Sequence, residues 1–73
     1  MKVHGHEITQ ELQDACWEGM AAEFSAQQIK MLLINNGLPA DAAFWGADRL
    51  CQKWRQVGFI SYDRRKGLWV KEV

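Results

Sequence analysis

The stretch Phe24-Ser25-Ala26-Gln27-Gln28-Ile29 fixes the start of a helix more tightly than any other segment of this chain. Ser25 stands where an N-cap hydroxyl accepts from the amide three residues on, and Gln28 where its side chain can reach back to the cap. Phe24 and Ile29 are spaced to pack on each other across that cap as a hydrophobic staple. The helix runs on through Lys30-Met31-Leu32-Leu33-Ile34 and stops at Asn35-Asn36-Gly37, where Gly37 can adopt the left-handed conformation of a C-terminal cap. Leu38-Pro39-Ala40 then leaves room only for a short turn before Asp41, the expected N-cap of the next helix. Helices joined this tightly are neighbours in space, so the pair sets the plan of the fold.

Periodicity supplies the other elements. A first helix is expected from the N-cap Thr9 to about Ala22, with Ile8, Leu12, Ala15, Cys16, Gly19 and Met20 as its buried stripe. Glu11 and Asp14 in its first turns suit the positive end of the helix dipole. The third helix is expected from about Ala42 to Val57, ending at Gly58. At about 100° per residue its apolar side holds Ala43, Ala47, Leu50, Cys51 and Trp54, with Phe44 and Val57 at the margins. Its opposite side holds Trp45, Arg49, Gln52 and Gln56, flanked by Asp48, Lys53 and Arg55. Beyond it, Phe59-Ile60-Ser61-Tyr62 and Leu68-Trp69-Val70-Lys71 read as strands of a hairpin whose loop is Asp63-Arg64-Arg65-Lys66-Gly67. Residues 1–7 read as a flexible start or a short strand.

Several functions are set aside on composition. Seventy-three residues make one domain, burying roughly 60% of the surface that the unfolded chain exposes. No apolar run reaches the ~20 residues of a membrane span, and the polar start is not a secretory signal, so a soluble cytoplasmic protein without a membrane partner is expected. Cys16 and Cys51 both fall on apolar helix faces and are expected buried and reduced. His4 and His6 lack the further ligands that a metal site needs. Neither a nucleophile–base pair nor a glycine-rich phosphate loop is present, so neither catalysis nor a cofactor is expected.

Charge is where function is written. Nine basic residues balance nine acidic ones, yet two basic and seven acidic residues precede Arg49, a net of −5, and the remainder carries +5. The positive residues cluster in the third helix and the hairpin loop. Such a separation suits one face to a polyanion.

Three helices, the last two joined by a tight turn and followed by a basic hairpin, resemble the winged helix-turn-helix family over about residues 8–70. The run Leu50-Cys51-Gln52-Lys53-Trp54-Arg55-Gln56-Val57-Gly58-Phe59-Ile60 is similar to the end of that family's recognition helix and the opening of its first wing strand. Arg64-Arg65-Lys66-Gly67 matches the wing tip, and Leu68-Trp69-Val70 the returning strand. The resemblance implies an α+β fold, a three-helix winged helix-turn-helix with a C-terminal two-stranded β-hairpin wing. It also implies a small regulator of transcription that binds double-stranded DNA.

On that reading Trp45, Asp48, Arg49 and Gln52 lie in the half of the third helix that reaches base edges. Arg49 is suited to guanine and Gln52 to adenine. Lys53, Arg55 and Gln56 reach phosphates, and Arg64, Arg65 and Lys66 follow the backbone or a minor groove. Trp17, Met31 and Ile34 form a dimer or partner patch if all three are exposed, but a central second helix packed on two sides is the favoured account of them. The other reading of the same fold is a protein-interaction module whose basic face meets an acidic partner, with Trp45 and Trp17 as anchors.

Overall fold

A computed structural model describes all residues, 1–73. The chain opens with a small antiparallel hairpin of β1 (Lys2–Val3) and β2 (His6–Glu7), so the first seven residues form two paired strands. His4 and Gly5, with φ of 51° and 78°, make the turn; His4 is the one non-glycine residue at positive φ.

Thr9 caps α1 (Gln10–Gly19) through its hydroxyl, which accepts from the Leu12 amide. The helix stops at Gly19, short of Ala22, because the backbone at Met20 turns extended to form β3 (Glu23–Phe24). Its buried face is also rotated from the expected one. Ile8, Cys16 and Met20 are buried and Leu12 half-buried as anticipated, but Ala15 and Gly19 are exposed and Gln13 is buried. Gln13 is satisfied there: Nε2 donates to Ile8 O at 3.1 Å, and Oε1 accepts from Lys53 Nζ at 2.6 Å. A buried amide with both ends bonded escapes the penalty that an unpaired one carries.

The capping box at α2 (Ala26–Asn35) forms in both directions between Ser25 and Gln28, and the staple residues Phe24 and Ile29 are fully buried. Gly37, at φ 103°, closes the helix: its N–H donates to Ile34 O and that of Leu38 to Leu33 O. α3 (Ala40–Gln56) begins two residues earlier than expected. Pro39 is its N-cap, and Asp41 lies inside the first turn, accepting from the Ala42 amide at 2.8 Å. Pro39 offers no side-chain cap; the helix starts there because the Pro39 carbonyl already accepts from the Ala43 amide at 2.9 Å, which puts Asp41 within the first turn. The far end repeats the α2 pattern, with Gly58 at φ 82° and amides of Gly58 and Phe59 donating to Arg55 O and Trp54 O.

α2 and α3 meet through small residues. Ala42, Ala43, Gly46 and Ala47 are all buried along α3. A Cβ at Gly46 would stand 2.7 Å from Ile8 Cδ1 and 3.1 Å from Leu33 Cδ1, both within the fully buried core. Val57 and Phe44, expected at the edge of the buried stripe, are exposed.

β4 (Ile60–Asp63) and β5 (Leu68–Lys71) form the expected hairpin, but the sheet has three strands, ordered β3-β5-β4, with β5 central. Glu23 pairs with Val70 and Phe24 with Trp69, tying the hairpin to the segment between α1 and α2. Two residues are too few for alternation to reveal β3 in the sequence. The architecture is therefore α+β, with three helices and two small antiparallel sheets around one hydrophobic cluster. No helix is long and apolar enough to cross a membrane.

One side chain fastens this arrangement. Lys71 Nζ donates to Trp17 O and Met20 O, both at 2.8 Å, and lies 4.7 Å from the Trp17 ring centroid. The final turn of α1 has no cation of its own, so β5 supplies one to the negative end of that helix. Lys71→Ala should lower unfolding stability by about 1–3 kcal/mol in urea titrations. Gly46→Val should cost about 1–3 kcal/mol by overpacking the Ile8–Leu33 contact.

Candidate nucleic-acid interface

The outer face of α3 is a single stripe. Trp45, Arg49, Gln52 and Gln56 follow one another at the i, i+4, i+7, i+11 spacing of one helix side, and all four are exposed. Asp48 lies beside them and accepts from Gln52 Nε2 at 3.0 Å. That leaves Gln52 its carbonyl oxygen and a second amide hydrogen free.

Arg55 lies at the stripe's flank and shares a groove with the hairpin, lined by Arg55, Ile60, Ser61, Tyr62, Arg64 and Trp69. This is where the helix and the loop come together. The loop is held stiffly: Asp63 Oδ1 accepts from the amides of Arg65 and Lys66, and Asp63 O from that of Gly67. Lys66 Nζ reaches back to Glu23 Oε2 at 2.5 Å, so the tip is tied to β3 as well. That hydrogen bond, with the Glu23 charge, pushes the Lys66 ammonium above the usual lysine value. Tyr62 is exposed in the groove and packs edge-on against Trp69, its cross-strand partner, at 5.1 Å between ring centroids.

The cations of the basic half divide cleanly by type. Lys53 is bound to Gln13, Lys66 to Glu23, and Lys71 to the end of α1. The side chains of Arg49, Arg55, Arg64 and Arg65 make no hydrogen bond or ion pair within the chain, and all four are exposed. So among the expected contact residues, Lys53 and Lys66 are already engaged by the fold, while Arg49, Arg64 and Arg65 are free. Lys30, counted in the acidic half, stands on the α3 side of α2, 5.9 Å from the Phe44 ring centroid.

Trp45 is held rather than loose. Its ring meets Phe44 edge-on at 5.3 Å and lies nearly parallel to His4 at 6.1 Å, while His4 Nδ1 is 3.8 Å from Asp41 Oδ2. The hairpin turn that lifts His4 to positive φ thus props the first exposed residue of the α3 stripe. Phe44, Tyr62 and Lys30 were not legible as parts of this surface. The strand pattern gave Tyr62 no distinction from a core residue, and Lys30 is set by tertiary packing alone.

The three apolar residues considered for a partner patch do not form one. Trp17 is half-buried against Trp54 and Phe59, in a groove between α1 and the end of α3 that also includes Val57. Met31 is exposed beside a different groove, near Met20 and Leu32, and Ile34 packs against the core. His4 and His6 sit in the turn and strand of the first hairpin, and no cluster of three or more His, Cys, Asp or Glu side chains could hold a metal ion.

No family model, curated protein or solved structure matches this chain.

The thiols lie away from this face. Both are free and buried; burial pushes Cys16 up, and burial followed by the Asp48 charge pushes Cys51 up to about 11. Thiols held protonated are poor nucleophiles. Their raised values also set a pH limit. The folded state keeps its protons after the unfolded chain has begun to lose them near 9.0, so the stabilisation is complete below that pH and is lost as pH rises toward about 11. Urea unfolding midpoints should fall across that window, and Cys51→Ala should flatten the decline.

Proposed function

We propose that this chain is a small DNA-binding protein, a regulator of transcription, built as a winged helix-turn-helix. It lays α3 in the major groove and the β4–β5 loop on the adjacent backbone, acting as a dimer or alongside a partner. The observation that carries this reading is the division of the cations. Three lysines are bound within the fold, whereas four unpaired arginines stand on α3 and the loop, with Arg55 and Arg64 lining one groove. Arginine is the side chain best fitted to phosphate and guanine, because its planar fork makes two parallel hydrogen bonds. Arg49 and Gln52 on the stripe are the candidates for base edges, with Arg55, Gln56, Arg64 and Arg65 for backbone. The element order, in which a three-stranded sheet ties the hairpin to the helices, supports a fixed angle between helix and wing.

One observation favours a second reading, an interaction module for an acidic protein. The start of α3 exposes Phe44 beside Trp45 of the stripe, the kind of aromatic pair that anchors protein interfaces. Fluorescence anisotropy against a mixed-sequence duplex separates the two. Binding should be evident at about 50 mM salt and fall steeply by about 200 mM through counterion release. Arg64→Ala with Arg65→Ala should weaken binding to all sequences and shallow the salt slope, while Arg49→Ala should also change sequence preference. No binding at low salt overturns the DNA reading and leaves the acidic-protein one.

A further inference from the structure

Resting on that DNA-binding reading, we infer that Trp45 is a specificity-determining residue that reads the 5-methyl group of thymine. The stripe it heads is otherwise polar, and a half-exposed indole at its start is unexplained by packing: Trp45 is 48% exposed although Phe44 and His4 flank it. Those two rings fix its orientation without covering it. A rigid apolar surface is therefore presented on the same helix side as Arg49, one turn on, and Gln52, two turns on.

In a major groove the one apolar feature of any base edge is the thymine methyl. An exposed aromatic ring among groove-facing polar groups has that as its natural counterpart. The neighbouring chemistry agrees. Gln52, whose amide keeps a free oxygen and a free hydrogen beyond its bond to Asp48, has the pair of groups that adenine requires. Tryptophan on the methyl and glutamine on adenine both select A·T pairs, separated by about two turns of helix. Arg49, lying between them, and Arg55, at the flank, supply the attraction to phosphate or guanine that holds the ring against the groove floor. The carboxylates of Asp41 and Asp48 on the same side disfavour close phosphate, which leaves this half of the helix to the bases.

The test separates the methyl from everything else on the duplex. Duplexes are selected from a randomised pool by the intact protein, and the best binder is remade with deoxyuridine at each thymine. The exchange removes a methyl and changes neither charge nor base pairing. Anisotropy titrations of wild type should show binding weakened about fourfold for each methyl contacted. Trp45→Ala should bind the two duplexes equally, and Trp45→Phe should restore part of the difference. Because Trp45 is half exposed, circular dichroism and urea midpoints of both variants should stay near wild type. Equal wild-type affinity for the two duplexes, selection of sites without thymine, or a full methyl preference retained by Trp45→Ala each overturn the inference while DNA binding itself stands. Failure of the pool to yield any binder overturns the DNA reading together with it.

Discussion

The Lys71 ammonium at the end of α1 is the contact that ties the first helix to the last strand. An α-helix ends with carbonyls that need donors, and α1 has neither a left-handed glycine cap nor a basic residue in its last turn. The last strand supplies the donor from more than fifty residues away, Lys71 to Trp17 O. Because the same ammonium lies against Trp17, and Trp17 against Trp54 and Phe59, one group joins the first helix, the end of the third and the central strand.

Most of what is legible in the sequence is decided within about five residues. The Ser25–Gln28 box, the Phe24–Ile29 pair and the glycine stops at Gly37 and Gly58 are short-range hydrogen-bond and packing patterns, and each stands where the residue types place it. The start of α3 lies two residues before the position that residue type favours, because Asp41 is the better cap by type and Pro39 caps with no side-chain hydrogen bond. β3 was invisible, since its two residues form a strand only when β5 lies beside them.

The candidate surface was legible in outline and not in detail, for the same reason. Counting charges located the positive half of the chain, but a count cannot see partners forty residues apart. Lys53 with Gln13 and Lys66 with Glu23 are such partners, and both lysines are turned to the fold's own use. Lys30 is the converse case: counted with the acidic half, it lies beside the aromatic pair of α3. The helix stripe itself came through intact, because outward positions on a 17-residue amphipathic helix are fixed by period alone.

The sorting of cations by type makes the molecule chemically addressable in two parts. The amines of Lys71, Lys53 and Lys66 hold the frame: they close a helix, satisfy a buried amide and pin the hairpin tip. Guanidinium groups stand free on α3 and the hairpin loop. A reagent that acylates amines would therefore loosen the architecture while leaving the four arginines of the outward face their charge. A dicarbonyl that condenses with guanidinium would erase the face and leave the architecture standing. Scaffold and surface, inseparable in so small a chain by cutting it, are separable by the nitrogen chemistry of their side chains.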